Sequence, residues 1–511
     1  MCKYETEWGW RCPFEPEPGK ELCIFHLPLD QKEPKEFYKH LANYLLALYE
    51  KNQTPESKKF LEEKKPWILN EKNDKLFDRY KGYVIPGKDW DFIGFVFPAM
   101  DDKHNFQEFI FPMDAYFSEA VFHQNANFIG AKFHRNAYFS EAEFQNAFFY
   151  RAEFHQNADF SEAKCQNADF SEAVFHQNAN FRGAKFHHNA NFFGAEFHQD
   201  ANFIEAEFHQ NANFFGAKFH QDANFYEAEF HQDADFIGAE FQNAYFNRAK
   251  FKDAYFSGAK FYHNANFSGA RFHNANFSRA QFHQDADFSW TEFQNANFSE
   301  AEFQNTNFSF AHFKNPPSFR GAEFKEKVDF YEAKIPRLSK KDDERTARYI
   351  RLQAEKYGSY ADAGDFYIIE MDFRRKRFRK DPKRWFQYIL MELYRLVSRY
   401  GESPGRGAIS LVLALLFFSW IFVISGFNFM NQRVDRDLFP PEISALGPTL
   451  KDIGLAFLFA LANIIPGNIG GDVMGNELSS AATKVWVIAQ VIITYIILAL
   501  FLLAIRRRFS R

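Results

Sequence analysis

Four cysteines in 511 residues are too few to staple a chain of this size, and three of them fall within the first 26 residues. Disulfides do not set this fold. The opening MCKYETEWGW has neither a basic region nor an apolar run, so it does not read as a secretory signal. No uncharged run of membrane length appears before Ala408. No catalytic triad, phosphate-cradling loop or working pair of carboxylates stands out either, which argues against an enzyme. The length allows about three domains. The formal net charge of -5 conceals an imbalance: residues 1–336 carry 35 Lys and Arg against 49 Asp and Glu, and residues 337–511 carry 26 against 17. An acidic front and a basic, apolar-rich back point to a membrane surface between them.

What the chain has in excess is phenylalanine, 69 in all, most of it in one phrase repeated from Ala115 to Ala333: AYFSE, AVFHQN, ANFIG, AKFHRN. A period of five or six is not helical. Alanine and phenylalanine two residues apart share one side of an extended segment, and the Asn, Asp or Glu between them points to the other. Each unit then turns a corner, so the chain winds as a four-sided coil. This run resembles the pentapeptide-repeat family, in which a small residue, Asn or Asp, a central Leu or Phe and two polar or Gly residues recur. The resemblance implies a β-solenoid, specifically a right-handed quadrilateral β-helix over residues 90–336, with four units per coil and the central residue inward. A single coil cannot bury its Phe; only stacking makes a core, and both ends need caps. We expect ~10 coils, a rod about 50 Å long, with aromatic ladders inside.

Residues 1–30 read as a small zinc-binding module. Cys2, Cys12, Cys23 and His26 follow the spacing C-x9-C-x10-C-x2-H, and three thiolates with one imidazole suit a structural tetrahedral Zn. Such a site would fold a segment too short for its own core. The competing readings are reduced, unliganded thiols or a disulfide. Residues 31–89 form a helical segment in which Phe37, Leu41, Tyr44, Leu45 and Leu48 share one face of a helix over Glu36–Lys51. From Trp90 the apolar alternation marks irregular first coils or a cap. Within the repeats Cys165 stands where a central Phe belongs and reads as a buried core thiol. His134, His155, His176, His198 and His220 recur every 21 or 22 residues. If that is one coil they form a surface column, open to metal or acid sensing but read more simply as solvated side chains beside Gln and Asn.

The repeats end near Pro336. Residues 337–400 read as linker helices, 338–357 and 361–379, followed by an interfacial helix over Trp385–Tyr400. Arg374, Arg375, Lys376, Arg377, Arg379, Lys380, Lys383 and Arg384 fill most of one short stretch. A run of this kind can bind nucleic acid, but a membrane span follows at once, so anionic headgroups of the lipid bilayer are the nearer partner.

Residues 401–511 read as a membrane domain of two transmembrane helices. Ala408–Phe427 and Val485–Ile505 carry no charge, and at 1.5 Å rise each spans about 30 Å. Arg395, Arg399 and Arg406 precede the first, and Arg506, Arg507 and Arg508 follow the second. Both termini are therefore expected to be cytoplasmic, in a multi-pass protein of the inner (plasma) membrane. Between the spans, about 449–472, an apolar stretch breaks at Pro466-Gly467 and ends in Gly470-Gly471-Asp472. A third full span would put the last arginines outside, and an interfacial helix is another option. The preferred reading is a re-entrant pore loop, because bare backbone at membrane depth is tolerated where it lines water or protein.

This order of helix, span, loop and span resembles the two-span ion-channel domain found behind some pentapeptide-repeat proteins. The resemblance implies a filter region at Asn463, Pro466, Gly467, Asn468, Ile469, Gly470, Gly471 and Asp472, and a homotetramer, since one chain cannot enclose a pore. Of the TxGYGD pattern only Gly471 and Asp472 fall in register, so potassium selectivity is not carried over and the permeant ion is open. The expected function is an oligomeric ion channel or channel-like protein whose cytoplasmic rod senses a ligand or binds a protein partner. The alternative is a non-conducting, membrane-anchored scaffold presenting the rod to a partner. DNA mimicry by the acidic rod fits poorly with a membrane tether.

Overall fold

The computed structural model describes residues 2–7, 9–51, 68, 70–83, 90–99, 105–335, 344–356, 360–425, 427–429, 432–434, 457, 458, 460 and 481–509. They divide into two units, Met1–Asp362 and Ala363–Arg511.

The first unit is a solenoid of parallel strands. Ala115 pairs with Ala137, Ala137 with Ala158, Ala158 with Ala179 and Ala179 with Ala201, so a coil takes 21 or 22 residues. The coils from Ala234 to Ala254 and from Ala286 to Thr306 close in 20, four units of five. The extra residue of a longer coil is accommodated by a register shift at a corner, as between Phe219 and Asp222. Following this edge from Trp90 to Val328 gives twelve stacked positions, slightly more than the ten coils expected.

Inside stand four columns of phenylalanine, beginning at Phe92, Phe97, Phe106 and Phe111. Rings one coil apart lie parallel: Phe149 and Phe170 at 4.9 Å and 0°, Phe192 and Phe214 at 4.7 Å and 1°. Rings of facing columns meet edge to face, Phe192 against Phe203 at 5.4 Å and 89°. Both geometries avoid the repulsive superposition of ring quadrupoles. Alanine two residues earlier is equally buried and keeps the wall thin. One column is interrupted at Cys165, which pairs in register with Phe144 and Phe186 and is fully buried, so burial pushes its thiol up to about 12.

Outside, polar ladders hold the register. The Asn or Asp between Ala and Phe accepts from the amide two residues on, as Asn127 does from Ile129, which closes the corner as an Asx turn. The same side chains bond from coil to coil, Asn213 to Asn191 at 3.1 Å. Opposite charges also alternate along the coils: Lys132 with Glu153, Lys164 with Glu143, Lys218 with Glu196. Two corners per coil are type II turns, with Ala120 N–H donating to the Phe117 carbonyl and Glu119 at φ 59°. Glycine fits that position, yet Glu, Arg, Trp290 and Phe310 also occupy it.

The N-terminal residues close one end. Helix α1 (Pro34–Lys51) and helix α2 (Asp74–Tyr83) lie beside the cysteine-rich segment. Tyr38, Tyr44 and Tyr49 of α1 donate to the carbonyls of Ala99, Asp91 and Ile110, and Phe25 stacks on Phe95 at 4.3 Å. At the other end helix α3 (Glu344–Lys356) buries Ala347, Ile350 and Ala354, while Tyr349 donates to the Phe324 carbonyl.

The second unit is helical: α4 (Tyr360–Arg379), α5 (Trp385–Ser398), α6 (Pro404–Ser425) and α7 (Ala481–Phe509). Gly407 lets α6 approach α7 closely, since a Cβ there would lie 2.9 Å from Phe501. A short antiparallel pair, Phe427–Phe429 with Gln432–Val434, follows α6 and was not foreseen from the sequence. Neighbouring residues 192 and 193 separate the inside of the rod from its outside. Phe192→Ala, in a full column, is expected to cost about 3–5 kcal/mol in chemical denaturation, whereas Phe193→Ser, at an exposed corner, should stay within about 0.5 kcal/mol.

Candidate metal centre and membrane segment

The cysteine-rich segment brings together all four residues expected from spacing. Cys23 and His26 sit on one tight turn, closed by His26 N–H to the Cys23 carbonyl. Cys2 is tied to Phe14 and Cys12 to Tyr4 through their backbone amides. The four ligand atoms lie within 4.8 Å of one another, all buried. His26 Nδ1 is 3.0 Å from Cys23 Sγ and 3.8 Å from Cys2 Sγ, and the Cys12 and Cys23 sulfurs are 3.6 Å apart. Ligands at about 2.3 Å around a tetrahedral ion would stand about 3.8 Å from each other. This Cys3His cluster can coordinate a metal ion. No disulfide competes, because all four cysteines are free.

The surroundings favour the same use. The other imidazole nitrogen, Nε2, donates to the Ile93 carbonyl at 2.8 Å, which leaves the Nδ1 lone pair facing the thiols and fixes the tautomer as metal-ligating histidines require. The Cys23 amide donates to Cys2 Sγ at 3.2 Å. Without an ion the cluster holds its protons: the Cys23 hydrogen bond and burial push the Cys2 thiol up to about 11. For His26, burial opposes charge, but hydrogen bonds to Cys2 and Cys23 outweigh it and raise the group to about 9. An entering ion would displace those protons. Lys32, buried nearby, donates to the carbonyls of Phe25 and Val96; burial lowers it to about 7, with the Cys23 charge opposing. Neither Lys32 nor Ile93 was singled out in the sequence, where a lysine in Gln-Lys-Glu and a main-chain oxygen carry no signal.

The histidine column is present from His155 onward, while His134 meets His155 edge-on at 5.3 Å and 79°. Rings of His155, His176, His198 and His220 stack at 5.0, 5.2 and 4.9 Å with interplanar angles of 5–6°. A second column, His187, His209 and His231, runs beside another corner. Ring nitrogens point in the ring plane, so parallel imidazoles do not converge on an ion. His155 is held below its ordinary range by burial first and by His176 and His134 second, and His187 likewise by burial and His209.

In the helical unit the basic stretch is only partly exposed. Arg374 pairs with Glu370 at 3.1 Å and Arg375 with Glu392 at 2.7 Å, while Arg384 reaches Asp381 at 3.3 Å. Lys376 lies over Phe373, and Arg377 over Phe378. Helix α5 leaves Trp385, Phe386, Ile389, Leu390, Leu393 and Leu396 exposed along one side. Two helices, over Pro404–Ile421 and Val485–Arg506, are long and apolar enough to cross a membrane. Asn463, Pro466, Gly467, Asn468, Ile469, Gly470, Gly471 and Asp472 lie outside the described residues. Of the segment between the spans, Ala460 is fully buried, and its carbonyl accepts from Gln490 of α7 at 2.6 Å.

Comparison with known proteins bears on the rod. The family model described as pentapeptide repeats (9 copies) matches in overlapping stretches from residue 106 to 335. That part of the chain is a pentapeptide-repeat β-solenoid, a structural and non-catalytic fold, joined here to a membrane-associated helical region. None of the curated proteins compared matches the chain.

Two outcomes follow. Metal analysis of the purified protein should return one divalent ion per chain, lost in Cys23→Ser, and chelation should lower the thermal midpoint while the strand signal in circular dichroism persists. His155 and His187, both held below their ordinary range, take up protons less readily folded than unfolded. Stability of the rod should therefore fall as pH drops below about 6.5, and less steeply in His155→Gln.

Proposed function

We propose that the protein is an oligomeric membrane ion channel, or a channel-like relative of one, carrying a pentapeptide-repeat rod as a cytoplasmic arm. The observation that carries this reading is Ala460. A residue lying between two membrane spans in sequence is fully buried and hydrogen-bonded to the second span, as a chain re-entering the bilayer between them would be. The break at Pro466-Gly467 and the glycines before Asp472 then supply bare backbone for a filter. Four copies would enclose the pore, with both termini on the cytoplasmic side of the inner membrane.

The other parts take roles around this centre. Zinc at Cys2, Cys12, Cys23 and His26 is structural: three thiolates and a neutral imidazole around a divalent ion leave one negative charge, and the buried Lys32 beside them offsets it. The exposed apolar side of α5 lies along the bilayer surface, with Lys376, Arg379, Lys380 and Lys383 toward anionic headgroups. Arg374, Arg375 and Arg384 contribute less to that contact, since each is already paired with a carboxylate in the helical unit. The rod offers a partner the stacked pair Trp290 and Phe310, 4.3 Å apart. Trp290 is 64% exposed and both hold positive φ, a conformation bulky residues avoid unless something is gained.

Current across a planar bilayer containing the full-length protein tests the proposal. Discrete openings are expected, abolished or altered by Gly470→Val with Gly471→Val, and reversal potentials in unequal salt would name the ion. Silence from a protein whose mass in detergent is that of a monomer would favour the scaffold instead.

A further inference from the structure

Polar side chains are few on the two spans, and those of α7 are not scattered. Its buried residues Val487, Gln490, Thr494 and Ala504 fall along one side of the helix, while Val485, Ile488, Ile492, Ile493 and Ile496 are exposed. Gln490 and Thr494 are fully buried. A donor facing hydrocarbon is costly, so a polar residue inside a span is turned toward protein and given a partner. Gln490 has one, the Ala460 carbonyl, thirty residues away in the chain. The Thr494 hydroxyl, one turn on and on the same side, has no hydrogen-bond partner among the described residues. That face of α7 is therefore built to receive polar groups rather than lipid. Leu458, two residues before Ala460, is 49% exposed.

We propose that Gln490 is a positioning residue, holding Ala460 against α7 within the membrane. The contact needs only two spans. Its consequence for a pore rests on the reading proposed above.

The test uses the full-length protein in lipid vesicles. In Ala460→Cys with Gln490→Cys, a short bifunctional thiol reagent such as dibromobimane should bridge the two positions. In Ala460→Cys with Ile492→Cys, whose second thiol faces away, it should not; both are read against the unsubstituted protein. In Ala460→Cys alone, labelling by a water-soluble maleimide should be slow. Adding Gln490→Leu should speed it roughly tenfold, the change expected for losing one hydrogen bond at depth, and Gln490→His, which keeps a ring N–H donor, should keep it slow. Bridging no better at 490 than at 492, or labelling unmoved by Gln490→Leu, would overturn the assignment. Neither readout needs a current, so a non-conducting anchor would pass both, and absent currents with intact bridging would reject the pore alone.

Discussion

Everything in the rod depends on phenylalanine stacking on phenylalanine one coil away. Each coil presents four rings that it cannot cover by itself, and burial comes from the coils above and below. Backbone pairing follows the same direction, from coil to coil and not within one. A structure of this kind is one-dimensional: its interior is uniform along the axis, and its stability is a sum of neighbouring contacts. The register is consequently a matter for the surface. The Asn ladders and the alternation of Lys with Glu penalise a slipped pairing, although single exposed ion pairs of this sort add little stability of their own.

A one-dimensional core leaves its cost at the ends, where rings and unpaired amides would face water or another rod. Described residues before Trp90 close one such end. Three tyrosines of α1 reach first-coil carbonyls, Phe25 stacks on Phe95, and His26 anchors to Ile93. The Cys3His cluster is thus part of the cap's attachment. Its histidine bridges ligand and rod, so order in the cluster and seating of the cap are linked through one imidazole. Lys32, which holds Phe25 and Val96 by their carbonyls, serves the same junction.

How much of this could be read beforehand differs from element to element. The period of five, with Ala and Phe on one side, was enough for the coil, its inward residues and the aromatic ladders, because the same geometry is imposed dozens of times. The histidine column from His155 to His220 followed from its spacing. The column at His187 was missed because its members lie a short step away in sequence and only the corner separates them in space. Spacing also picked out the four residues of the Cys3His cluster, since Cys is rare here. It could not find Ile93, a main-chain group, nor the non-glycine residues at φ near 60°, where Glu119 and Trp290 stand in positions a turn rule would assign to Gly. In the membrane region hydropathy located the spans, but averaging over a window hides a single Gln, and Gln490 went unnoticed for that reason.

The two halves of the chain face the same requirement, that every buried peptide group find a partner, in two solvents. In the rod the partner is the next coil, and where coils run out it is a tyrosine or an imidazole. In α6 and α7 the helix supplies its own bonds, so a span needs nothing from outside. Between the two candidate spans Ala460 is fully buried and its carbonyl is met by a side chain of α7, and in an apolar helix a side chain able to do so is conspicuous. Gln490 is to Ala460 what Tyr44 is to Asp91: a donor carried on a helix and placed to satisfy backbone outside it. In water such a donor competes with solvent and its loss can be absorbed. In the membrane placement proposed above no solvent stands in, which makes the contact at Ala460 the stronger constraint of the two.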